Sequence, residues 1–341
     1  MKRIDWWLIL PVLFLLSISL LILRSTTLDV FWVQLSFVGV GIVIWLIVSN
    51  IDHKIFMAFW AWGFVLSIVL LFLPIVFGNY VRGSYRWISL GPVLVQTSEI
   101  VKPILLIFVA MGLRKWYAWL VLFPLFMIWR QPDLGSMLVL LSGVFFMYVS
   151  RYSFKKVLPW VFGSLLIVGL TAQLFLHGYQ KERLTSFFNP YSDPLNNGYH
   201  VIQSVIAVGS GGIWGRGLGR GTQSQLRFLP EHHTDFIFAT TAEELGFAGS
   251  ILILILYFVI LWRIYILSKL ATNQPDILFL QGVLGMLTFQ IFVNIGMNIG
   301  LAPVTGITLP FLSYGGSSIV ALMITFGILQ SISSQIGNKQ V

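Results

Sequence analysis

The chain contains no cysteine, and only 10% of its 341 residues are charged. The absence of cysteine excludes disulfide bonds and metal sites built from thiolates. A hydrophobic fraction of 57% and a mean hydropathy of +0.88 exclude an ordinary soluble domain. Acidic residues are the scarcer sign, 12 against 21 lysines and arginines, which gives a net charge of +9. In so apolar a chain this excess is typical of the cytoplasmic loops of membrane proteins rather than of nucleic-acid binding.

Apolar stretches of about 20 residues recur along the whole chain, and each can cross a bilayer as an α-helix. They are too long for barrel strands, the other structure that satisfies the backbone in hydrocarbon. The first run, Trp6 to Leu23, has no small-residue cleavage site, so it predicts a retained span rather than a signal peptide. We predict an all-α polytopic membrane protein, a single integral-membrane domain over 1–341 with spans at about 6–24, 28–49, 54–77, 97–113, 115–129, 134–150, 155–177, 236–268, 276–300 and 312–335.

The positions of lysine and arginine predict the orientation of these spans. With a cytoplasmic N-terminus, eleven of them lie at inner ends of spans and four in short outer loops, as the positive-inside rule requires. Both termini are then cytoplasmic. The outer face carries residues 78–97, 130–134 and 301–311, and one large extracytoplasmic loop, 178–235, between the seventh and eighth spans.

Several ionisable residues fall inside the predicted spans or at their outer ends, where charge is costly and usually faces a partner or a cavity. Glu99 and Lys102 are three residues apart, so we expect an ion pair that holds this short helix, faces a substrate, or does both. Thr97 or Ser98 is the expected N-cap of the same helix. Asp133 suits a helix N-terminus, and the neighbouring Arg130 could meet an anion.

Two further features interrupt the later spans. Glu243 and Glu244 lie a turn or two into the eighth span, where a carboxylate is protonated or paired, and we expect pairing with Lys102 or an arginine. The stretch from Pro303 to Ser318, which includes Ser313, has two prolines and three glycines and cannot form a continuous helix. It is either a structural kink or the lining of a cavity, since irregular backbone at membrane depth needs such surroundings.

The large loop contains a glycine-rich stretch and an acidic, histidine-rich one. Arg216 and Arg220 alternate with glycines in GRGLGRG; the spacing is not a dinucleotide fingerprint, but such a backbone could cradle a phosphate. The stretch FLPEHHTDFIF, residues 228–238, then precedes an apolar run. A metal site is the weaker reading, because adjacent histidines rarely bind one ion together. Thr234 or Asp235 suits the start of the eighth span, and Asp235 also lies at the outer mouth of the bundle.

Chemistry on the outer face is restricted, because no ATP is available there. Group transfer needs a substrate with its own leaving group, as lipid-linked pyrophosphates have. It also needs cations for phosphate and a carboxylate to take a proton from an acceptor hydroxyl. Asp235 is the candidate base, and the candidate cations are Arg86, Lys102, Arg216 and Arg220. A transporter uses similar groups, so composition alone leaves both functions open.

Five motifs along essentially the whole chain resemble those of the SEDS family (shape, elongation, division and sporulation). They are RWISLG with QTSE (86–99), QPDLGS (131–136), GRGLGRGTQSQLRFLPEHHTDFIFA (215–239), AEELGF (242–247) and LPFLSYGGSS (309–318). TQSQL with PEHHTDFIF is most similar to the elongation branch, whereas AEELGF and ITLP lean toward the division branch. The family usually has proline where Thr97 stands, and we expect threonine to replace it as a cap.

The resemblance implies an inverting peptidoglycan glycosyltransferase of the bacterial cytoplasmic (inner) membrane. It would polymerise lipid II, an undecaprenyl-pyrophosphate-linked disaccharide peptide, on the outer face for cell elongation and shape. It also implies a class B penicillin-binding protein transpeptidase as partner, besides membrane lipids. The family's essential aspartate maps onto Asp235, and its Glu–Lys pair onto Glu99 and Lys102. A lipid II flippase is the alternative, and a scaffold for the synthase is a weaker third.

The residues that we expect to bind substrate share a polar character and a place on or near the outer face: Arg86, Glu99, Lys102, Asp133, Arg216, Arg220, Glu244 and Ser313. Asp235 is the expected catalytic residue. The sequence identifies no cofactor with certainty and predicts no metal site of its own. A Mg²⁺ or Mn²⁺ ion that arrives with the pyrophosphate is left open.

Overall fold

The computed structural model describes residues 4–81, 84–90, 93–113, 115–152, 187, 197–226 and 228–339. Within these ranges the chain is a bundle of α-helices with one small sheet, which confirms the predicted all-α membrane class. The predicted seventh span, 155–177, and residues 178–186 and 188–196 of the predicted loop lie outside the described residues.

The helices follow the predicted spans closely in most places. They are α1 (Trp6–Thr26), α2 (Leu28–Asn50), α3 (His53–Ala58), α4 (Trp60–Phe77), α5 (Thr97–Gly112), α6 (Leu122–Arg130), α7 (Leu134–Arg151), α8 (Asn197–Ser210), α9 (Thr222–Gln225), α10 (Ile237–Leu270), α11 (Gln274–Asn298) and α12 (Gly316–Lys339). A 3₁₀-helix, Trp116–Val121, leads into α6. Seven helices of the described part are long and apolar enough to cross a membrane: α1, α2, α4, α7, α10, α11 and α12.

Three boundaries differ from the prediction. The third span is two helices, because the backbone leaves helical geometry at Phe59 (φ −88°, ψ 18°). The fifth begins as the 3₁₀-helix and becomes α-helical only at Leu122. The tenth begins at Gly316 rather than 312, because residues 301–315 form no regular helix, as the prolines and glycines predict.

A three-stranded antiparallel sheet precedes α5 and was not predicted. Its strands are β1 (Asn79–Val81), β2 (Ser84–Leu90) and β3 (Val93–Gln96), in the order β1-β2-β3. β2 and β3 pair from Trp87 opposite Gln96 to Leu90 opposite Val93. Because β3 runs directly into α5, the sheet places β2 beside the start of that helix.

The core lies around α5, α11 and α12, whose side chains are mostly buried, while α2 and α4 carry many exposed apolar side chains. α12 packs against α2, α11 against α7, and α1 against α10. Large apolar side chains on the outside of a bundle are expected where the surroundings are lipid rather than water.

A glycine-rich loop, residues 211–221, docks against a kink in α10. The kink lies at Gly246 (φ 70°, ψ −165°), in the region of backbone conformation that favours glycine. A Cβ at Gly246 would lie 2.2 Å from the amide nitrogen of Gly215, so only glycine allows this approach. Four backbone hydrogen bonds of 2.9–3.0 Å join the two segments, from Arg216 to Glu243, Gly217 to Glu244, Phe247 to Gly212 and Ala248 to Ile213.

Candidate functional site

Asp235 lies in a turn, residues 228–236, that leads into α10. Its carbonyl oxygen accepts hydrogen bonds from the side-chain amides of Asn294 and Asn298, each at 3.1 Å. Both asparagines are fully buried on α11, one turn apart. The Ser313 hydroxyl donates to the neighbouring carbonyl of Thr234 at 2.7 Å. The backbone of Asp235 is thus held by buried groups, while its side chain stays partly exposed.

The expected capping roles near the starts of α5 and α10 are wrong. α10 begins at Ile237, and its N-cap, Phe236, makes no side-chain cap. α5 likewise begins at Thr97 itself, after an N-cap, Gln96, that makes no side-chain cap. The Ser98 hydroxyl is used elsewhere, in a bond to Asp133. Asp235 therefore lies one residue before the N-cap of α10 rather than at that position.

The two histidines of the turn make separate structural contacts. His232 lies 3.2 Å from the Thr27 hydroxyl and 3.2 Å from the Leu229 carbonyl through its two ring nitrogens. The His233 ring packs edge-on against Tyr314, whose amide donates to the His233 carbonyl at 2.9 Å. Within the described ranges no three histidine, aspartate or glutamate side chains converge as metal ligands.

A second polar cluster surrounds Asp133 at the start of α7. The Arg86 guanidinium lies 3.3 Å from the Asp133 carboxylate. This carboxylate also accepts hydrogen bonds from the Ser98 hydroxyl and the side-chain amide of Gln96, at 2.8 Å each. The same carboxylate caps α7 through the Ser136 amide at 3.1 Å, so the predicted helix-start role is confirmed. Burial would raise the pKa of Asp133, but the nearby guanidinium and these hydrogen bonds outweigh it and hold the pKa below its usual value.

The predicted pair between Glu99 and Lys102 is confirmed, with 2.6 Å between the ammonium and the carboxylate. Both side chains are buried. The Ser136 hydroxyl lies 3.4 Å from both Glu99 and the Ser98 hydroxyl, which joins this pair to the Asp133 cluster. Charges in such surroundings persist only when they are paired and hydrogen-bonded, as these are.

The irregular segment 301–315 connects the two clusters. The Asn294 amide that bonds Asp235 also donates to the Ile307 carbonyl at 2.7 Å. On its other side the segment packs on the first turn of α7, where a Cβ at Gly135 would lie 3.0 Å from the Ile307 side chain. The segment thus links the Asp235 turn to the helix that Asp133 caps.

The expected pairing of Glu243 and Glu244 with Lys102 or an arginine is wrong. Glu244 accepts from the Ser25 hydroxyl at 2.6 Å and the Gly219 amide at 3.1 Å. Glu243 accepts from the backbone amides of Gln223 and Ser224 at 2.8 and 3.1 Å, across the first turn of α9. Both carboxylates hold the chain around the glycine-rich loop, because several donors there satisfy them without a cation.

Arg216 and Arg220 are exposed, and four backbone amides of residues 216–220 already have acceptors within the protein, which argues against the phosphate cradle that the sequence made possible. Its amide groups donate to protein acceptors: Arg216 and Gly217 to carbonyls of α10, Gly219 to Glu244, and Arg220 to the Gly217 carbonyl at 3.1 Å. The two arginine side chains are exposed, so contact of this stretch with an anion stays a prediction that rests mainly on them. The Arg216 side chain contacts the Ser210 carbonyl and the Thr222 hydroxyl at 3.3 Å each.

Comparison with known proteins places this arrangement in a family. The family model described as "Cell cycle protein", FTSW_RODA_SPOVE, matches residues 2–338. The chain belongs to the SEDS family. The resemblance inferred from the five motifs is therefore confirmed over almost the whole length.

Curated relatives and solved structures agree with this assignment. The peptidoglycan glycosyltransferase MrdB of Escherichia coli K12 is 38% identical over 308 residues, 86% of this chain and 83% of that protein. Stage V sporulation protein E of Bacillus subtilis is 35% identical over 362 residues, 96% of each chain. A chain from a structure of a peptidoglycan synthase complex superposes with a TM-score of 0.84 at 33% identity, over 98% of both chains. The rod shape determining protein RodA of Thermus thermophilus superposes with a TM-score of 0.72 at 28% identity, over 98% of this chain and 97% of that one.

The two asparagines that hold Asp235 were not predicted from the sequence. A signal for them was present, since Asn294 and Asn298 are polar residues four apart within an apolar span and so share one helix face. Gln96 was also missed, because its role depends on the unpredicted strand β3.

Proposed function

We propose that this protein is a peptidoglycan glycosyltransferase that polymerises lipid II on the outer face of the bacterial cytoplasmic membrane, with Asp235 as general base. The observation that carries the proposal is the immobilised backbone and partly exposed side chain of Asp235, beside a segment that links it to the buried charges around Asp133. A catalytic base must be held within hydrogen-bond reach of its proton, and three buried donors around residues 234–235 supply such positioning.

In this mechanism the Asp235 carboxylate takes the proton of an acceptor sugar hydroxyl. The hydroxyl oxygen attacks the anomeric carbon of the donor from the side opposite the leaving group, so the configuration inverts. The bond from that carbon to the undecaprenyl pyrophosphate oxygen breaks, and the pyrophosphate leaves with the electron pair. Hydroxyl attack without a base is slow, and a positioned base contributes about 10²–10⁴-fold.

The charge that develops on the pyrophosphate needs cations. The Arg86 side chain is one-quarter exposed while it pairs with Asp133, so its exposed part can contact a phosphate. Arg216 and Arg220 are exposed, and within the described residues neither forms an ion pair with a carboxylate, which suits them to the same role. Lys102 is buried against Glu99, which favours a role in holding the site. A Mg²⁺ or Mn²⁺ ion, if one arrives with the pyrophosphate, would supply further positive charge.

Purified protein supplied with lipid II and a class B penicillin-binding protein, the partner that we propose, tests this function. Asp235→Asn keeps the shape of the side chain and removes the base, so we expect polymer formation to fall by about 100-fold or more. Glu231→Gln is the matched control, a carboxylate of the same turn, and should retain activity within a few-fold. Glycan strands of normal length and yield from Asp235→Asn would remove this residue from the mechanism.

The same assay separates the enzyme from a lipid II flippase. A polymerase lengthens glycan in detergent, where there is no membrane to cross. A flippase needs sealed vesicles and makes no polymer. Repeating the assay with EDTA tests the divalent ion, since loss of activity restored by Mg²⁺ or Mn²⁺ would assign it a role.

A further inference from the structure

An exposed apolar patch on α8 and the glycine-rich loop is not used by the proposed chemistry. The patch consists of Val205, Ile206, Ile213, Trp214 and Leu218. Trp214 is 82% exposed and Ile213 65%. A large aromatic side chain that is so exposed on a loop indicates a surface that lipid or another molecule covers.

The length of α1 gives the distance along the bundle between two bonds that this helix region makes with α10. Asp5, just before this helix, bonds Arg263 of α10 at 2.8 Å. Ser25, near its other end, bonds Glu244 of α10 at 2.6 Å. Twenty positions separate the two bonds, and at 1.5 Å per helical residue this is about 30 Å. The hydrocarbon core of a bilayer has about this thickness.

The glycine-rich loop lies at the Ser25 end of this distance. The side-chain amide of Gln225, just after the loop, donates to the Ser25 carbonyl at 2.8 Å. The backbone amide of Gly219 donates to the Glu244 carboxylate, which also accepts from the Ser25 hydroxyl. If the pair between Asp5 and Arg263 marks one edge of the hydrocarbon, the loop marks the other. Trp214 is then at the depth where tryptophan accumulates in membrane proteins.

The patch continues an exposed stripe on α10. Phe247 follows the kink directly and is 63% exposed, and Ile251, Phe258 and Trp262 lie further along the same face at spacings of four or seven residues. The carbonyls of Gly212 and Ile213 bond the amides of Phe247 and Ala248, which places the loop beside the end of this stripe. A stripe of this kind along a spanning helix is what lipid contacts require.

We propose that the glycine-rich loop and the exposed face of α8 form an interfacial anchor in the leaflet next to Asp235. Ile213 and Trp214 enter the acyl boundary, and Arg216 and Arg220, exposed in the same loop, meet lipid phosphate groups. The combination of aromatic, aliphatic and arginine side chains is that of interfacial membrane segments. The kink at Gly246 and both glutamates fix the anchor to α10, so it holds the turn that carries Asp235 at the membrane surface.

Depth-dependent quenching in nanodiscs tests the anchor. The chain has no cysteine, so Trp214→Cys can carry a single environment-sensitive fluorophore. We expect a nitroxide placed near the lipid headgroup to quench it several-fold more than a nitroxide deep in the acyl chain. Val69→Cys, on the exposed face of α4, should show the reverse order, and exposed Lys54→Cys should be quenched little. Elution of each variant as wild-type protein in gel filtration checks that the fold is intact.

Quenching of Trp214→Cys no greater than that of Lys54→Cys would overturn the anchor. Shielding of the fluorophore only after the transpeptidase is added would assign the patch to a protein partner instead, which also overturns it. Replacing part of the neutral lipid with phosphatidylglycerol should increase the quenching, and Arg216→Gln with Arg220→Gln should abolish that increase. Inorganic phosphate in solution should leave quenching unchanged, since membrane-bound phosphate is the proposed ligand. These measurements need no glycan synthesis, so their outcome does not depend on whether the protein is a polymerase.

Discussion

At the scale of single residues, the feature that decides the candidate site is a pair of buried asparagines. Asn294 and Asn298 donate to one carbonyl, that of Asp235, and the Asn298 side-chain oxygen accepts from the Ala239 amide at 2.9 Å. The pair therefore ties Asp235, two residues before α10, and the first turn of α10 to α11. Buried amides that satisfy backbone groups in this way specify one backbone arrangement.

Asn294→Ala should lower kcat for polymerisation by about 10- to 100-fold with little change in KM, because a base displaced by a fraction of an ångström still binds substrate but reacts slowly. Gln290→Ala is the matched control, a buried polar side chain one turn away on α11. Steady-state kinetics on lipid II measure both. Equal losses in the two variants would mean that Asn294 acts only through stability.

The pair between Glu99 and Lys102 gives a prediction about stability. Lys102→Met leaves the Glu99 carboxylate buried without its cation, which costs about 3–5 kcal/mol, whereas replacing both residues by apolar ones of similar size costs much less. We expect thermal unfolding in detergent to show a large fall for Lys102→Met and partial recovery for Lys102→Met with Glu99→Leu. A double variant less stable than the single one would show that the pair is not the source of the loss.

At the scale of elements, the kink in α10 couples a spanning helix to the glycine-rich loop. It breaks the helix where Glu243 and Glu244 hold the neighbouring chain by their side chains and also accept from it through their carbonyls. The loop is therefore part of the helix surface, and its geometry depends on Gly246.

Gly246→Ala should displace the loop, because the new methyl group meets the Gly215 backbone and the positive φ is strained as well. We expect faster proteolysis within residues 211–221 and a lower unfolding temperature. Gly39→Ala, where a Cβ meets nothing within 4 Å, should behave as wild type. Proteolysis of Gly246→Ala at the wild-type rate would contradict the coupling.

Hydropathy was a sound guide to the long helices and much less informative about what lies between them. α1, α2, α7, α10 and α11 fall within a few residues of prediction, because apolar length is decided locally. The sheet was missed because its strands, close before α5, are short and mixed in character. The ion pair on α5 was predictable from its spacing, whereas Arg86 and Asp133 meet only through the sheet. The partners of Glu244 come from α1 and the loop, so no local pattern could name them.

At the scale of the whole molecule, the orientation in the membrane decides which chemistry is available. The excess of lysine and arginine predicts that Lys54 faces the cytoplasm and Arg220 the exterior. Cells that carry Arg220→Cys should react with a membrane-impermeant maleimide, and cells that carry Lys54→Cys should react only after permeabilisation. The reverse pattern would place Asp235 on the cytoplasmic side, where no glycan strand is available as acceptor. That result would contradict the proposed reaction.

Two bonds to α10, from Asp5 just before α1 and from Ser25 near its other end, also have a mechanical consequence. A helix bonded to the same neighbour near both ends is restrained from sliding or tilting against it, so we expect the two helices to move together. Any opening that admits or releases a growing glycan must then occur elsewhere in the bundle. A displacement of α1 near Asp5 would then also shift Ser25 and the glycine-rich loop, which lie at the opposite membrane surface.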